Sequence, residues 1–327
     1  MKRVAYLDIL CGVMIMNIIL AHICAYLRLF DILDHLFFFC LPWFFFKGGM
    51  FFHFSSNWRK RLVNDSRRLL IPFLFFGLIG LFYAVILHLF AEGPEVQGLW
   101  SHVKTLSLYG TFPNSYHLWF LFTLFLVRTV ADRIWEKVNT WLVILVCVAL
   151  TSLSFFTRHS YPLYAFNGLD ALFFFVLGGV LRDIQYKPKV VATSAVVLLI
   201  ILCFCPTKLD MMMNNVLYGF YPLWYPFSLA GVICVNTAGK WLYSHVILPH
   251  ALQSVTGTFM YVGKRSMLFY VAQGIIIKLG IALCAFTGIG NPYVSLVVVT
   301  FFSIIAFSLL ILLFRWLTWL RLFIGEQ

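Results

Sequence analysis

Ten apolar runs dominate this chain, and each is bounded by charged or turn-forming residues. They lie roughly at Ala5–Tyr26, Leu36–Phe54, Leu69–Phe90, His117–Trp135, Trp141–Phe156, Leu169–Leu181, Val190–Pro206, Leu217–Thr237, Met267–Phe286 and Tyr293–Phe314. Crossing the hydrocarbon core of a bilayer takes about 20 apolar residues as a helix, and most of these runs approach that length. Lipid offers no partner for a free backbone N–H or C=O, so each run must satisfy its own backbone as a helix. With 62% apolar and only 11% charged residues, the composition excludes an ordinary soluble domain. The expected fold is all-α, a polytopic transmembrane helix bundle of about ten spans forming a single integral-membrane domain over residues 1–327. The N-terminal Met-Lys-Arg followed by an apolar run looks like a secretion signal. The run is too long for one, carries Asp8 and lacks a small-residue cleavage site, so it reads as an uncleaved span.

Charge gives the orientation. One set of alternate loops holds Lys2, Arg3, Arg59, Lys60, Arg61, Arg67, Arg68, Arg128, Arg133, Lys137, Arg182, Lys187, Lys189, Lys240, Lys264, Arg265, Arg315 and Arg321. The other set holds Arg28, Lys104, Arg158 and Lys208, while Lys47 and Lys278 fall within spans. This asymmetry predicts an even number of spans with both termini in the cytoplasm. It also explains the net charge of +12 without nucleic acid as a partner, because the basic residues sit at membrane edges. The bilayer itself is the expected partner, and an aromatic content of 19% suits lipid contact and interfacial belts. Eight cysteines (Cys11, Cys24, Cys40, Cys147, Cys203, Cys205, Cys234 and Cys284) lie in or beside apolar runs. Their spacing suggests neither a metal site nor a disulfide framework. No soluble domain is expected on either side of the bundle, and no internal repeat of the transporter kind is visible. The longer outer segments, Ala91 to Tyr116 and Lys208 to Pro226, read as connections or as covers over an outward-facing site.

Within the first run, Asp8, Cys11 and His22 are the reactive side chains, and with Ile15 and Ile18 they follow the spacing of one helical face. Cys11 and His22 are eleven residues apart, about three turns, or roughly 16 Å along the axis. Polar side chains inside a membrane helix are costly and usually mark a site facing the bundle interior. A buried histidine bonded to a neighbouring helix is the plain structural alternative.

The pattern Leu7-Asp8-x-x-Cys11-Gly12 followed by His22 resembles the first helix of the membrane-bound acyltransferase 3 family, whose members read LDGLRG or LDILKG and then His. Cys11 stands where that family has Arg or Lys. The resemblance continues in order along the chain. Phe39-Cys40-Leu41-Pro42-Trp43-Phe44-Phe45-Phe46-Lys47-Gly48-Gly49 is similar to FHMPLFFFISG, with Cys40 for His and Gly48 for Ser. Arg67-Arg68-Leu69-Leu70-Ile71-Pro72 resembles a basic-Leu-x-x-Pro start of the third span. His117-Leu118-Trp119-Phe120-Leu121 matches HLWFL, and the run from Asp170 to Gly179 resembles an FFxLG packing element. Gly263-Lys264-Arg265-Ser266-Met267-Leu268-Phe269-Tyr270-Val271-Ala272-Gln273 is similar to GKxSLxIYLLH, with Gln273 for a frequent His.

The resemblance implies transfer of an acyl group, most often acetyl, from cytoplasmic acyl-CoA to a hydroxyl of a cell-surface polysaccharide or its lipid-linked precursor. Acetyl-CoA or another acyl-CoA would be a co-substrate, and no metal is expected. It implies catalytic roles for His22, Asp8 and His117, with His22 acting as general base or transiently carrying the acyl group. Arg68, Lys47 and Cys11 would lie on the acyl-CoA side. Arg68 would meet phosphate at the helix mouth. Lys47 would supply the cation missing at Cys11, or else snorkel to the interface. A thiol at Cys11 could also carry the acyl group, although apolar surroundings disfavour the thiolate. The rival expectation is a non-catalytic relative or a glycolipid carrier of the same fold, because the departures at Cys11, Cys40, Gly48 and Gln273 all remove a polar or basic group. The expected location is a bacterial inner membrane, and the oligomeric state stays open. Orientation is tested directly by single-cysteine labelling in a background without native thiols. A cysteine introduced at Glu95 should label from outside intact cells; labelling only after lysis would reverse the topology.

Overall fold

The computed structural model describes residues 4–29, 39–53, 57–91, 112, 115–134, 137–157, 165–204, 224–245 and 250–325. Every regular element among them is a helix: α1 (Ala5–Tyr26), α2 (Cys40–Met50), α3 (Trp58–Asp65), α4 (Ile71–Ala91), α5 (Trp119–Ile134), α6 (Thr140–Thr157), α7 (Ala165–Val180), α8 (Pro188–Phe204), α9 (Trp224–His245), α10 (His250–Lys264), α11 (Ser266–Phe286) and α12 (Pro292–Trp316). Short 3₁₀ turns at Tyr116–Leu118, Ile184–Tyr186 and Thr318–Ile324 and a π turn at Ser66–Leu70 complete the set. The stretches Ala5–Tyr26, Trp58–Tyr83, Ser266–Phe286 and Pro292–Trp316 are long and apolar enough to cross a bilayer. Shorter apolar stretches run over Thr140–Ser152, Gly168–Val180 and Pro188–Ile200. The protein is therefore an integral membrane helix bundle.

Each of the ten apolar runs meets a helix, with informative differences. The second run shortens to eleven described helical residues, with residues 36–38 outside the described set. Such a helix rises about 16 Å, well short of a full crossing. The eighth begins at Trp224 and continues to His245, so Lys240 lies on a helix rather than in a loop. The third is entered through α3 and the π turn. Helix α10, in sequence only the stretch before a basic motif, was not anticipated; its Ser254, Thr256, Gly257 and Thr258 break the apolar run that marks the other elements. Glu92, Pro94, Glu95, Trp100 and His102, and the segment from Lys208 to residue 223, lie outside the described residues.

Two compact units share the chain. The first comprises Met1–Ile15, Asp34–Ser56 and Leu126–Lys264. Glycines set its helix contacts. A Cβ on Gly12 of α1 would run into the carbonyl of Phe259 on α10, and one on Gly263 of α10 would run into the carbonyl of Asp8. The same reciprocal arrangement joins α2 to α7: Gly49 lies against the Phe175 carbonyl and Gly178 against that of Phe46. In lipid, helices gain no hydrophobic energy by leaving solvent, so contact depends on close backbone approach and interhelical hydrogen bonds. The glycines supply the first. The second comes from a buried chain in which Trp43 Nε1 donates to Asn236 Oδ1 at 2.7 Å and Asn236 Nδ2 donates to Gln185 Oε1 at 2.9 Å. Gln185 Nε2 then donates to the Arg182 carbonyl at 3.0 Å. Phe45, Phe46, Phe174, Phe175 and Trp224 fill the space around these contacts. The Tyr225 hydroxyl donates to buried Asp170 at 2.5 Å and meets Thr151, so this carboxyl too is partnered.

The second unit comprises Met16–Leu33, Asn57–Phe125 and Arg265–Gln327. Helix α11 is its best-buried span and α12 its most exposed; Phe301, Ile305, Leu309 and Trp316 of α12 present an apolar face suited to lipid. Phe269 and Phe307 join the two helices, with ring centroids 4.6 Å apart, beside Gly280 over Val299. Helix α12 starts cleanly because Asn291 caps the N–H groups of Tyr293 and Val294, and Pro292 occupies a position whose N–H would be unused. The π turn lies just before a proline. Ile71 N–H reaches back five residues to Ser66, and Pro72, which follows, has no N–H for the Arg68 carbonyl. Gly325, left-handed at φ 69°, lies with its Cβ position 2.5 Å from the Arg68 carbonyl oxygen.

The reciprocal glycines carry a clear expectation. Gly178→Leu should force α2 and α7 apart and cost more than the about 1–3 kcal/mol of ordinary overpacking, because backbone cannot yield as a side chain can. Yield of folded, detergent-stable protein reads this out. Gly257→Leu, at a position with nothing within 4 Å of its Cβ, is the control and should behave as wild type.

Candidate active site

The residues that converge lie in the second unit, where the far half of α1, the 3₁₀ turn before α5 and the first half of α11 meet. His22 comes from α1 and is half-buried. His117 comes from the 3₁₀ turn, and the two imidazoles stand edge to face with centroids 6.3 Å apart. Two of the histidines singled out in the sequence are thus neighbours in space.

Helix α11 holds both. His22 Nδ1 lies 3.3 Å from Gln273 Oε1. A carboxamide oxygen only accepts, so Nδ1 carries the proton and Nε2 keeps its lone pair. His117 Nε2 donates to the Val271 carbonyl at 3.4 Å, which fixes the opposite tautomer on that ring. The Tyr270 hydroxyl donates to the His117 main-chain carbonyl, and its ring stands 5.7 Å from the imidazole. This bond ties down a carbonyl at the start of α5. The pair is therefore oriented at both rings and at the backbone.

Tyr270, Gln273 and Gly274 occupy positions i, i+3 and i+4 of α11, one helical face. That spacing was the available signal, and an apolar span hid it. Gly274 has a specific task, since a Cβ there would fall 2.8 Å from His117 Nδ1 and closer still to Cε1. A bare backbone is what lets the imidazole lie against α11.

The other sequence candidates are placed differently. Asp8, Cys11 and Lys47 belong to the first unit. Asp8 is half-buried, and its Oδ2 is buried without a hydrogen-bond partner. Cys11 is buried as a free thiol. Lys47 is half-buried and holds its ammonium 5.1 Å from the ring centre of Trp43, one turn back on α2, a cation–π contact. Cys40, at the position of a family histidine, points its thiol at the Met14 sulfur at 3.2 Å. Arg68 shares the second unit with the histidines, but its side chain is exposed at the mouth of α4. Among the described residues, no three His, Cys, Asp or Glu side chains are grouped to hold a metal ion.

A family model described as an acyltransferase domain, that of acyltransferase 3, matches residues 4–313. The chain belongs to the acyltransferase 3 family. No curated protein and no solved structure matches it. Membership accounts for the order of the motifs and implies acyl transfer to some acceptor. Several family motifs also acquire a structural reason: Gly12, Gly49, Gly178 and Gly263 are contact glycines.

If His117 works from the position described, Gly274→Ala should displace its ring. A misplacement near 1 Å costs on the order of 10²-fold in rate. We expect that loss in acyl transfer by protein that still inserts and purifies normally.

Proposed function

We propose that the protein transfers an acyl group, most simply acetyl, from cytoplasmic acyl-CoA to a hydroxyl of a surface polysaccharide or its lipid-linked precursor, and that it works in a bacterial inner membrane. The observation that carries this reading is the oriented pair, His22 and His117, in a member of a family of acyltransferases. His22 Nε2 takes the proton of the acceptor hydroxyl while its oxygen attacks the thioester carbonyl carbon. The C–S bond then breaks, coenzyme A leaves as thiolate, and the proton held by His22 neutralises it. His117 lies within reach of the same acceptor and orients it.

The remaining candidates serve the donor. Arg68, exposed with Arg67 at the start of α4, suits the phosphates of acyl-CoA. Lys47 offers a positive charge to the thioester side, held ready by Trp43 rather than by a carboxylate. Asp8, with an unsatisfied buried oxygen, offers an acceptor to donor groups of acyl-CoA. Cys11, a buried free thiol, stands at the sequence position of a family cation.

His22→Ala tests the assignment with purified protein, labelled acetyl-CoA and an isolated glycan acceptor. Removing a general base costs about 10²–10⁴-fold, so transfer should fall by that factor with membrane insertion unchanged. Near-wild-type transfer would remove His22 from the mechanism. Absence of transfer in the wild-type protein, with glycolipid movement instead, would favour a carrier.

A further inference from the structure

We infer that Lys240, Tyr186 and Tyr6 form a binding site for the phosphate of an anionic phospholipid, at the end of the first unit that the charge asymmetry predicts to be cytoplasmic. None of the three residues has a part in the acyl-transfer reading, so the inference stands apart from it.

Three elements of that unit meet here. Tyr6 opens α1, Tyr186 closes the 3₁₀ turn before α8, and Lys240 lies towards the end of α9. The two phenols share a hydrogen bond of 2.5 Å, and the Lys240 ammonium stands 4.0 Å from the ring centre of Tyr186. A bond between two hydroxyls uses one proton and leaves the other. Tyr6 is buried and Tyr186 only half-buried, so the hydroxyl with access to the outside is that of Tyr186. Tyr6 then donates to Tyr186, and Tyr186 keeps its O–H for a partner from outside. An ammonium has donors only. Because the ammonium rests on the ring that carries the hydroxyl, the two donors are about the width of a phenol apart, a span that two oxygens of one phosphate bridge. Leu10, one turn past Tyr6, lies 2.9 Å from the Cβ position of Gly239, which seats α9 against α1 beside Lys240.

Charge and depth name the ligand. Around the cluster the exposed turn carries Arg182, Lys187 and Lys189 against one acid, Asp183. With exposed Lys240 that is four cations to one anion, which attracts a negative headgroup and repels the cationic group of a zwitterionic one. The residues that follow Lys240 on α9, Trp241, Leu242 and Tyr243, are all exposed, and so is Ile184 in the 3₁₀ turn. Trp and Tyr gather at headgroup depth. Free phosphate, or the phosphates of acetyl-CoA, would leave these apolar side chains without a partner. A phospholipid brings a phosphate to headgroup depth together with acyl chains for the apolar residues around it.

The test uses the full chain purified in detergent and native mass spectrometry, which reads the lipid retained per protein. Phosphatidylglycerol is the probe, phosphatidylcholine the zwitterionic control, and inorganic phosphate and acetyl-CoA the soluble competitors. Wild type should bind phosphatidylglycerol about tenfold or more tightly than phosphatidylcholine. Tyr186→Phe keeps every charge and removes the outward O–H; a hydrogen bond to a charged group carries about tenfold in affinity or more, and that factor should be lost. Lys240→Met should lose as much. Arg315→Met removes an exposed cation of the second unit and should lose no more than the about fivefold of general surface attraction. Tyr6→Phe leaves the Tyr186 hydroxyl in place and should bind within a few-fold of wild type. Wild-type affinity in Tyr186→Phe or Lys240→Met overturns the site, as does equal binding of the two lipids. Equal losses in Tyr6→Phe and Tyr186→Phe reduce the phenols to packing, and equal losses in Lys240→Met and Arg315→Met reduce the lysine to general attraction; either overturns it. Displacement of the lipid by phosphate or acetyl-CoA assigns the site to a soluble ligand and overturns the lipid. Should Tyr186→Phe fail to fold, Lys240→Met decides, because that side chain is exposed.

Discussion

Close backbone contact between helices is the condition on which the rest of this structure depends. Lipid tails are as apolar as leucine side chains, so burying Phe45 or Phe174 against another helix gains little by desolvation alone. What selects one packing over others is steric fit at Gly12 with Gly263 and at Gly49 with Gly178, where each glycine seats a carbonyl of the opposite helix. The hydrogen-bonded chain through Trp43, Asn236 and Gln185 adds direction, since each amide in it has one satisfying arrangement. Several residues that mark the family in sequence are therefore architecture.

The histidine pair depends on α11. Its face of Tyr270, Gln273 and Gly274 receives two histidines from different parts of the chain and treats them differently. One ring gives its Nδ1 proton to a side-chain amide, and the other gives its Nε2 proton to a main-chain carbonyl. Two imidazoles of similar intrinsic basicity thus present different nitrogens outward. Tautomer, rather than distance, distinguishes the two rings here.

Sequence made the helices, the His22 face and the HLWFL histidine legible, because apolar length and helical spacing report what each segment does locally. It could not pair segments. Nothing in residues 5–26 says that Gly12 meets Phe259, or that His22 meets Gln273 some 251 positions away. Helix α10 escaped because its polar residues leave no apolar run long enough to stand out. The substitution of Gln273 for a frequent family histidine was visible, but its meaning was not. Read alone it was a lost polar group; in place it is a buried amide bonded to His22 with its nitrogen unsatisfied. Lys47 shows the converse. Its position in an apolar run suggested the cation missing at Cys11 or a snorkelling side chain, and only the structure shows its contact with the ring of Trp43 on its own helix.

The π turn at Ser66–Leu70 acts as a phase shifter. A wide turn absorbs one extra residue, and each residue of an α-helix turns the chain by about 100°. The basic residues of α3 are therefore displaced around the axis relative to the exposed apolar residues of α4, Leu74, Leu78 and Phe82, although the chain passes from one to the other without a break. A continuous α-helix would carry Arg59, Lys60 and Arg61 on the azimuths that α4 dictates. With the wide turn between them, the two segments choose their facing independently: α4 can be ruled by its packing, and α3 by whatever meets its charge. The bond from Ile71 N–H back to Ser66 marks where the two segments part.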